Sequence, residues 1–186
     1  TVGPKDRHKF DAEADIRMIS VFCPPIHGTE THDEGGAYPP TGEIPPGRDA
    51  MFVRSADAMR AAGEELVISG GTARALRMLT KADRVGFSFS DVHVAAGAKS
   101  DLWYKNHWEA NYVRQGTGTL EDMTTGQVWN LEPGMLYCVG PRDRHRIENT
   151  GNVGFRIISV FNPPLQGNES HDAEGTYAAS GVAPEG

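Results

Sequence analysis

The chain has 186 residues, 38% of them hydrophobic, and a formal net charge of −7 at pH 7. This acidic balance argues against nucleic acid or an anionic membrane surface as the main partner, and the sequence has no apolar run of the length that spans a bilayer. Two cysteines are too few for a disulfide framework and the first residues are polar, unlike a signal peptide, so a cytoplasmic location is expected.

Residues 1–42 repeat the sequence of the C-terminal part of the chain. Residues 3–8 match residues 140–145 at five of six positions, and residues 19–38 match residues 158–177 at 12 of 20. The matched segments lie 137 and 139 residues apart, almost the length of the stretch 51–186. We therefore expect a complete domain at 51–186, a Pro- and Gly-rich linker at 43–50, and at 1–42 a partial second copy, the C-terminal third of a preceding domain.

Two origins of this repeat stay open. Either a tandem two-domain protein has lost most of its first domain, or the chain is permuted and residues 1–42 complete the fold in place of residues 146–186. One domain has room for one copy of the duplicated strands. The spare copy would be disordered, packed outside, or inserted into another chain, and the aggregation risk of an unpaired sheet edge favours strand exchange with a partner.

The elements predicted after residue 50 are mostly short strands. A short helical period covers residues 55–67, with Ser55 as its N-cap. A hairpin turn is expected at residues 124–126. Strands are predicted at 74–80, 86–89, 91–95, 109–114, 118–122, 127–131, 135–139, 144–148 and 155–161. This spacing favours an all-β fold, a jelly-roll barrel of the cupin type with one or two short helices.

Two motifs resemble a degenerate cupin metal-binding signature. In the second motif, Pro133 and Gly134 are followed by Tyr137 where a histidine is usual. The first motif requires a glycine, His-x-His, a glutamate and a second glycine, and these positions hold Gly97, Trp103, Lys105, Glu109 and Gly116. The glutamate and glycines are kept, whereas the usual histidines are replaced.

A metal site can be rebuilt from Glu109, Tyr137 and His145. The first two would point into the barrel, and His145 follows one short strand later. A carboxylate, a phenolate and an imidazole can bind a divalent transition metal such as Fe(II) and leave positions open for substrate. Such a metal would act as a Lewis acid on a carbonyl.

Simpler interpretations of the same residues stay open. Tyr137 and Phe161 can be barrel core, and His145 can be a surface histidine. Glu169 and His171 follow a Pro-Pro turn and can belong to a surface loop. The metal interpretation is strongest for the glutamate on the strand 109–114, because a buried carboxylate needs a partner.

The sequence resembles the ectoine synthase family over essentially all of residues 51–177. The segments that carry the resemblance are YKNHWEA at 104–110, GTG at 116–118, PGMLY at 133–137, DRH at 143–145, VFNPP at 160–164, GNESHD at 167–172 and GTY at 175–177. The resemblance implies a cytoplasmic cupin, typically a homodimer, that acts on a small-molecule substrate with neither nucleic acid nor membrane as partner. It also implies a hydro-lyase, a carbon–oxygen lyase that closes N-γ-acetyl-L-2,4-diaminobutyrate to the compatible solute ectoine with loss of water.

The same resemblance implies site residues by position. Fe(II) is the implied cofactor, held by Glu109, Tyr137 and His145. Tyr104, Glu169 and His171 are the implied catalytic residues, by proton handling or substrate anchoring. The implied substrate contacts are Arg77, Tyr104, His107, Phe161, Glu169 and His171.

Three positions depart from the family pattern where substrate is contacted. Ala73 stands where a tryptophan is usual, and Ser90 and Val92 replace a polar residue and a threonine. These departures support an alternative, in which the chain is a non-catalytic small-molecule-binding cupin or acts on a different N-acyl amine.

Overall fold

The computed structural model describes residues 1–47 and 50–179. Residues 48–49 and 180–186, in the predicted linker and at the end of the predicted domain, lie outside the described residues. The described part of the domain contains one α-helix, two short 3₁₀ turns and ten strands. The helix α1 is Ala56–Ala61, and the strands are β1 Glu65–Ile68, β2 Ala73–Leu79, β3 Ser88–Val94, β4 Lys99–Leu102, β5 Trp108–Gln115, β6 Gly118–Asp122, β7 Val128–Leu131, β8 Leu136–Val139, β9 His145–Asn149 and β10 Phe155–Asn162.

The strands form two antiparallel sheets that share one core. The larger sheet has the order β1-β2-β3-β10-β5-β8, and the smaller sheet has the order β4-β9-β6-β7. Strand β10 is central, since it pairs with β3 on one side and β5 on the other. Alternate residues of the strands face inward, as in Glu109, Asn111 and Val113 of β5, which are all buried. This is the predicted all-β barrel architecture.

The N-terminal elements differ most from the sequence prediction. The helix begins after Ser55, whose hydroxyl accepts from the Ala58 amide at 3.3 Å, as predicted. It ends at Ala61 rather than continuing to residue 67, because Gly63 takes a left-handed backbone with φ +77° and the apolar residues after it form the edge strand β1. The predicted helix over 62–67 is therefore wrong.

Two further strand predictions need correction, and one turn prediction is confirmed. The separate strands predicted at 86–89 and 91–95 are one continuous strand, β3, whose inner residues alternate without a break. Strand β4 was not predicted, because its sequence is largely polar and it is held by pairing with β9. The hairpin turn at 124–126 is confirmed, since the Asp122 carboxylate accepts from the Thr124 amide at 2.8 Å and Gly126 has φ +75°.

Residues 1–42 lie outside the barrel and contain neither a helix nor a strand. Their Thr1 ammonium group donates to the Phe52 carbonyl at 2.8 Å, and Cys23 packs against Gly86. Strand β10, which belongs to the C-terminal copy, occupies the position between β3 and β5. In the ranges 1–47 and 50–179, no helix has the length and apolar character needed to cross a bilayer.

Candidate active site

The two sheets enclose a cavity of about 40 Å³, which holds a few water molecules at most. Six of the predicted site residues line it: Arg77, Tyr104, Glu109, Tyr137, Phe161 and His171. The other walls are mainly apolar side chains of β2, β3, β4 and β10. The cavity therefore joins residues of both sheets to residues of the segment that follows β10.

Glu109 supplies a buried carboxylate on the inner face of β5. Its side chain is in the protein interior, with 5% of the residue exposed. Burial raises the pKa of Glu109 to about 7, although hydrogen bonds from Asn111 and Ser159 act in the opposite direction. A carboxylate in this setting lacks full compensation for its charge, so a cation would be favourable beside it.

Tyr137 lies beside Glu109 on the same inner face. Tyr137 pairs with Asn111 across β5 and β8, so Glu109 is its diagonal neighbour. Burial, and then the negative charge of Glu109, raise the pKa of the Tyr137 hydroxyl well above its ordinary value. Without a cation the two groups therefore oppose each other's ionisation.

His145 begins β9 on the facing sheet and is 3% exposed. Its Nδ1 lies 2.9 Å from the carbonyl oxygen of Asp143, which places the proton on Nδ1 and turns the Nε2 lone pair outward from that bond. Burial lowers the pKa of His145, so the ring is neutral near pH 7. A neutral imidazole whose other nitrogen donates to a carbonyl is the usual arrangement of a metal-ligating histidine.

The chemistry of these three donors suits a divalent transition metal, and two of them, Glu109 and Tyr137, line the cavity. Among the described residues, no three His, Cys, Asp or Glu side chains gather as a metal site, so the predicted ligand set depends on Tyr137. A cation would lower the pKa values of Glu109 and Tyr137 and so remove their mutual opposition. The assignment of these ligands stays a prediction.

A hydrogen-bonded chain runs from Tyr104 through His171 to Ser69. The Tyr104 hydroxyl lies 3.0 Å from His171 Nε2, and His171 Nδ1 lies 3.1 Å from the Ser69 hydroxyl. Burial, and then the charge of Arg77, lower the pKa of His171 to about 4. Burial raises the pKa of Tyr104 well above its ordinary value, so Tyr104 donates and the neutral His171 accepts at Nε2.

Aromatic packing holds this chain in place. The Tyr177 ring stacks on His171 at 4.2 Å and on Tyr104 at 5.4 Å between ring centroids. The Phe161 ring meets Tyr104 edge-on at 5.0 Å. Because His171 and Tyr177 both follow β10, the segment 163–177 closes the cavity and completes the hydrogen-bonded chain at the same time.

Arg77 brings a buried positive charge to the cavity. Its guanidinium group donates to the Tyr177 hydroxyl at 3.0 Å and to the Ser90 hydroxyl at 3.3 Å. Its Nε atom is buried without a hydrogen-bond partner in the described structure. Arg77 can therefore bind an anionic group of a ligand. Ala73 and Val92 line the cavity close by and leave that wall apolar.

Three predicted residues do not line the cavity: His107, His145 and Glu169. His107 is buried, with its ring 6.1 Å from that of Phe161, and burial lowers its pKa. The Glu169 carboxylate accepts from the backbone amides of Gln166 and Gly167, the latter at 2.8 Å, so it shapes its own turn. The structure therefore supports a structural task for Glu169 more directly than proton transfer.

Sequence reasoning did not single out four residues that support the site. Tyr177 lies in the last family segment, and its aromatic character was the available signal. Asn111 and Ser159 could have been found from the register of strands β5 and β10, since they pair directly and the serine hydroxyl donates to the asparagine. Ser69 carries no sequence signal, because it is 102 residues from His171 in the chain.

A model of the family "Ectoine synthase" matches residues 2–42 and 51–181. The L-ectoine synthase of Desulfosudis oleivorans is 42% identical over 127 residues, which cover 68% of this chain and 96% of that protein. The L-ectoine synthase of Oceanobacillus iheyensis is 39% identical with the same coverage.

Solved structures resemble the same region. The crystal structure of ectoine synthase from P. lautus has a TM-score of 0.60 and 31% identity, and covers 73% of this chain and 96% of that chain. A cupin 2 conserved barrel domain protein from Salinispora arenicola has a TM-score of 0.50 and 21% identity, and covers 61% and 89% of the two chains. These structures confirm the predicted cupin fold.

Proposed function

We propose that this chain, which belongs to the ectoine synthase family, is a hydro-lyase that closes N-γ-acetyl-L-2,4-diaminobutyrate to ectoine with loss of water. The relatives carry the name L-ectoine synthase, and the chain covers 96% of two of them. The product would serve as a compatible solute under osmotic stress. The relatives do not favour the alternative of a non-catalytic binding protein or of a different N-acyl amine as substrate.

The reaction sets three requirements for the site. The substrate amine attacks its own amide carbon, so the chain has to be folded into a near-attack shape. The amide oxygen has to be polarised, and it leaves as water after receiving protons. Bulk water has to be excluded, because the product forms by dehydration.

Arg77 is suited to hold the substrate. Its buried guanidinium keeps one nitrogen without a partner and faces the cavity, where the substrate carboxylate would balance its charge. The apolar wall formed by Ala73 and Val92 would contact the methylene groups of the substrate. Together these contacts would bring the amine towards the amide carbon.

Glu109, Tyr137 and His145 would hold Fe(II). When bound, the metal would supply a Lewis acid that draws electron density from the amide oxygen. The protein contributes the neutral state of His145, set by its bond to the Asp143 carbonyl, and the buried carboxylate of Glu109. The interior position of Glu109 also limits the access of water to the amide oxygen of the substrate.

Tyr104 and His171 would handle the protons. Tyr104 keeps its proton at neutral pH and faces the cavity, so its hydroxyl can donate to the departing oxygen. In the reaction the substrate ammonium loses two protons and the departing oxygen gains two, so His171 would relay each proton from the substrate nitrogen to the Tyr104 oxygen. Its depressed pKa keeps His171 neutral near pH 7, so a proton that it takes up from the substrate would be passed on readily.

The observation that carries this proposal is the chain Tyr104–His171–Ser69, which ends in the same cavity as Glu109 and Tyr137. The test is to incubate the Fe(II)-loaded protein without oxygen with N-γ-acetyl-L-2,4-diaminobutyrate and to measure ectoine by NMR. Metal-stripped protein is the control. Folded, iron-loaded protein that forms no ectoine would contradict the proposal.

We also propose that the protein is a homodimer in a reducing cytoplasm. The outer face of β5 and of the edge strand β8 exposes Trp108 at 56% and Leu136 at 65%, and an apolar sheet edge of this kind favours association. We expect Leu136→Asp to give monomers in analytical ultracentrifugation. Val67→Asp, on the opposite edge of the same sheet, is the matched control and should stay dimeric. A wild-type monomer at micromolar concentration would contradict the dimer.

A further inference from the structure

Residues 3–42 carry the same local geometry as residues 140–177, although they lie outside the barrel. The Asp6 carboxylate accepts from the Gly3 amide at 2.7 Å, as Asp143 does from Gly140 at 2.7 Å. His8 Nδ1 lies 3.1 Å from the Asp6 carbonyl, where the equivalent distance for His145 is 2.9 Å. The histidine turn is thus formed in both copies.

The segment that closes the cavity is duplicated in the same way. His32 stacks on Tyr38 at 4.2 Å with 17° between the rings, and His171 stacks on Tyr177 at 4.2 Å with 18°. Phe22 meets Tyr38 edge-on at 5.5 Å, and the counterpart pair is separated by 5.6 Å. The N-terminal copy therefore holds the shape of a closed site without a barrel beneath it.

The two copies differ in the exposure of their apolar side chains. In the N-terminal copy these side chains are open to solvent, for example Phe10 at 65% and Met18 at 60%. Their counterparts in the C-terminal copy are core residues with at most 5% exposure. The exposed residues are Phe10, Ile16, Met18, Phe22 and Ile26, and their buried counterparts are Ile147, Phe155, Ile157, Phe161 and Leu165.

We propose that residues 3–42 are a closing segment for a second barrel of this same fold, one that lacks its own equivalent of residues 140–177. Its residues 16–23 would enter between the strands equivalent to β3 and β5, and its residues 8–12 between those equivalent to β4 and β6. It would bring His8, Phe22, His32 and Tyr38 to the positions that His145, Phe161, His171 and Tyr177 hold in the barrel described above.

An unclosed barrel is the partner that the exposure pattern selects. Entry into an intact copy would displace that copy's own β10, which has the same apolar pattern. The displaced strand would then be exposed in place of the inserted one, so the exchange would bury no additional apolar surface. Entry into an unclosed barrel buries the exposed side chains and fills a central strand position, so apolar surface is lost on both partners. The partner is therefore a chain like residues 51–139 that lacks a bound closing segment.

Cysteine crosslinking in the full chain tests the proposal. All chains carry Cys23→Asn and Cys138→Ser, which remove both native thiols. In the acceptor, Ile157→Asp and Phe161→Asp displace its own β10 from the barrel. Met18→Asp and Phe22→Asp prevent its own residues 3–42 from docking. The acceptor also carries Ala110→Cys as the crosslinking thiol. The donor is otherwise unaltered and carries Val21→Cys, because Val21 is the counterpart of Val160, which pairs with Ala110.

We expect the co-expressed donor and acceptor to form at least tenfold more disulfide-linked heterodimer than a donor with Val128→Cys, an exposed position on the other sheet. A donor with Val160→Cys should not exceed that control, since its strand is already engaged. A single chain with both Val160→Cys and Ala110→Cys is the positive control for formation of this disulfide between paired strands. Because the charged acceptor can be degraded, an acceptor with alanine in place of each aspartate is tested as well.

The proposal is overturned if Val21→Cys gives no more heterodimer than Val128→Cys with both acceptors. It is also overturned if an acceptor with an intact closing segment crosslinks equally well. A second readout, which rests on the proposed function, uses a donor with Glu109→Gln. Ectoine formed by the mixture would come from a shared site. Crosslinking without ectoine would leave the docking standing and count against the activity.

Discussion

The replacement Tyr104→Phe separates proton transfer from packing. The Tyr104 ring is 3% exposed and stacks against Tyr177 and Phe161, so phenylalanine keeps these contacts and loses only the hydroxyl. That hydroxyl is the hydrogen-bond partner of His171 Nε2 at 3.0 Å. The variant therefore removes the proposed donor from the cavity and leaves a buried nitrogen without its partner.

Two magnitudes follow from this geometry. A buried acceptor that loses its donor costs about 1–3 kcal/mol of unfolding free energy, which is measured by urea denaturation. Loss of a positioned general acid lowers kcat by about 10²–10⁴, whereas KM should change little because Arg77 still holds the substrate. The assay is steady-state ectoine formation by Fe(II)-loaded protein at pH 7.

Tyr177→Phe is the matched control, since it also removes one buried hydroxyl, the acceptor of the Arg77 guanidinium at 3.0 Å. We expect a similar loss of stability and a change mainly in KM. If Tyr104→Phe, folded and loaded with metal, keeps kcat within about threefold of wild type, Tyr104 is not the acid. If both variants lose kcat equally, the effect comes from packing.

Three further outcomes are expected. Glu109→Gln should abolish tight Fe(II) binding in equilibrium dialysis, because a neutral amide replaces the buried anion; unchanged binding would exclude Glu109 as a ligand. The pKa of His171 is about 4 in the folded protein, and about 6.5 is normal when unfolded. The unfolded state then binds more protons between these values, and unfolding free energy should fall by up to about 3 kcal/mol as the pH drops through that window. His171→Asn should flatten this slope in urea titrations. Gly175→Ala places its Cβ 2.2 Å from the Asp101 carbonyl oxygen with φ +75°, and should cost about 2–4 kcal/mol by thermal unfolding. Its counterpart Gly36 has no atom within 4 Å, so Gly36→Ala should cost about 1 kcal/mol.

The strands could be predicted where burial alternates along the sequence. Strand β10 has this pattern, and its predicted bounds differ from the structure by one residue. Strand β4 could not be predicted, because three of its four residues are polar and its pairing partner Glu148 to His145 lies more than 40 residues away. Most of strand β1 was assigned to a helix, because the three-residue apolar run Leu66–Ile68 fits either period until the sheet forms.

The site could be predicted where one side chain has an unusual chemical requirement. A glutamate between apolar residues of a strand needs a partner, and this requirement identifies Glu109 from the sequence alone. The place of Glu169 was not predictable in this way, because its bonds to two backbone amides depend on the turn conformation. The division of the chain at 1–42, 43–50 and 51–186 and the roles of the individual site residues stay predictions.

The closure of the cavity links substrate binding to proton transfer. The cavity of about 40 Å³ is small for the proposed substrate, so we expect the segment 163–177 to move aside when the substrate enters. That segment carries His171, whereas Tyr104 and Ser69 belong to the barrel. Such a movement would break both hydrogen bonds of the chain, and its reversal over the substrate would restore them. The acid is completed only when water has been excluded, which is the order that a dehydration requires.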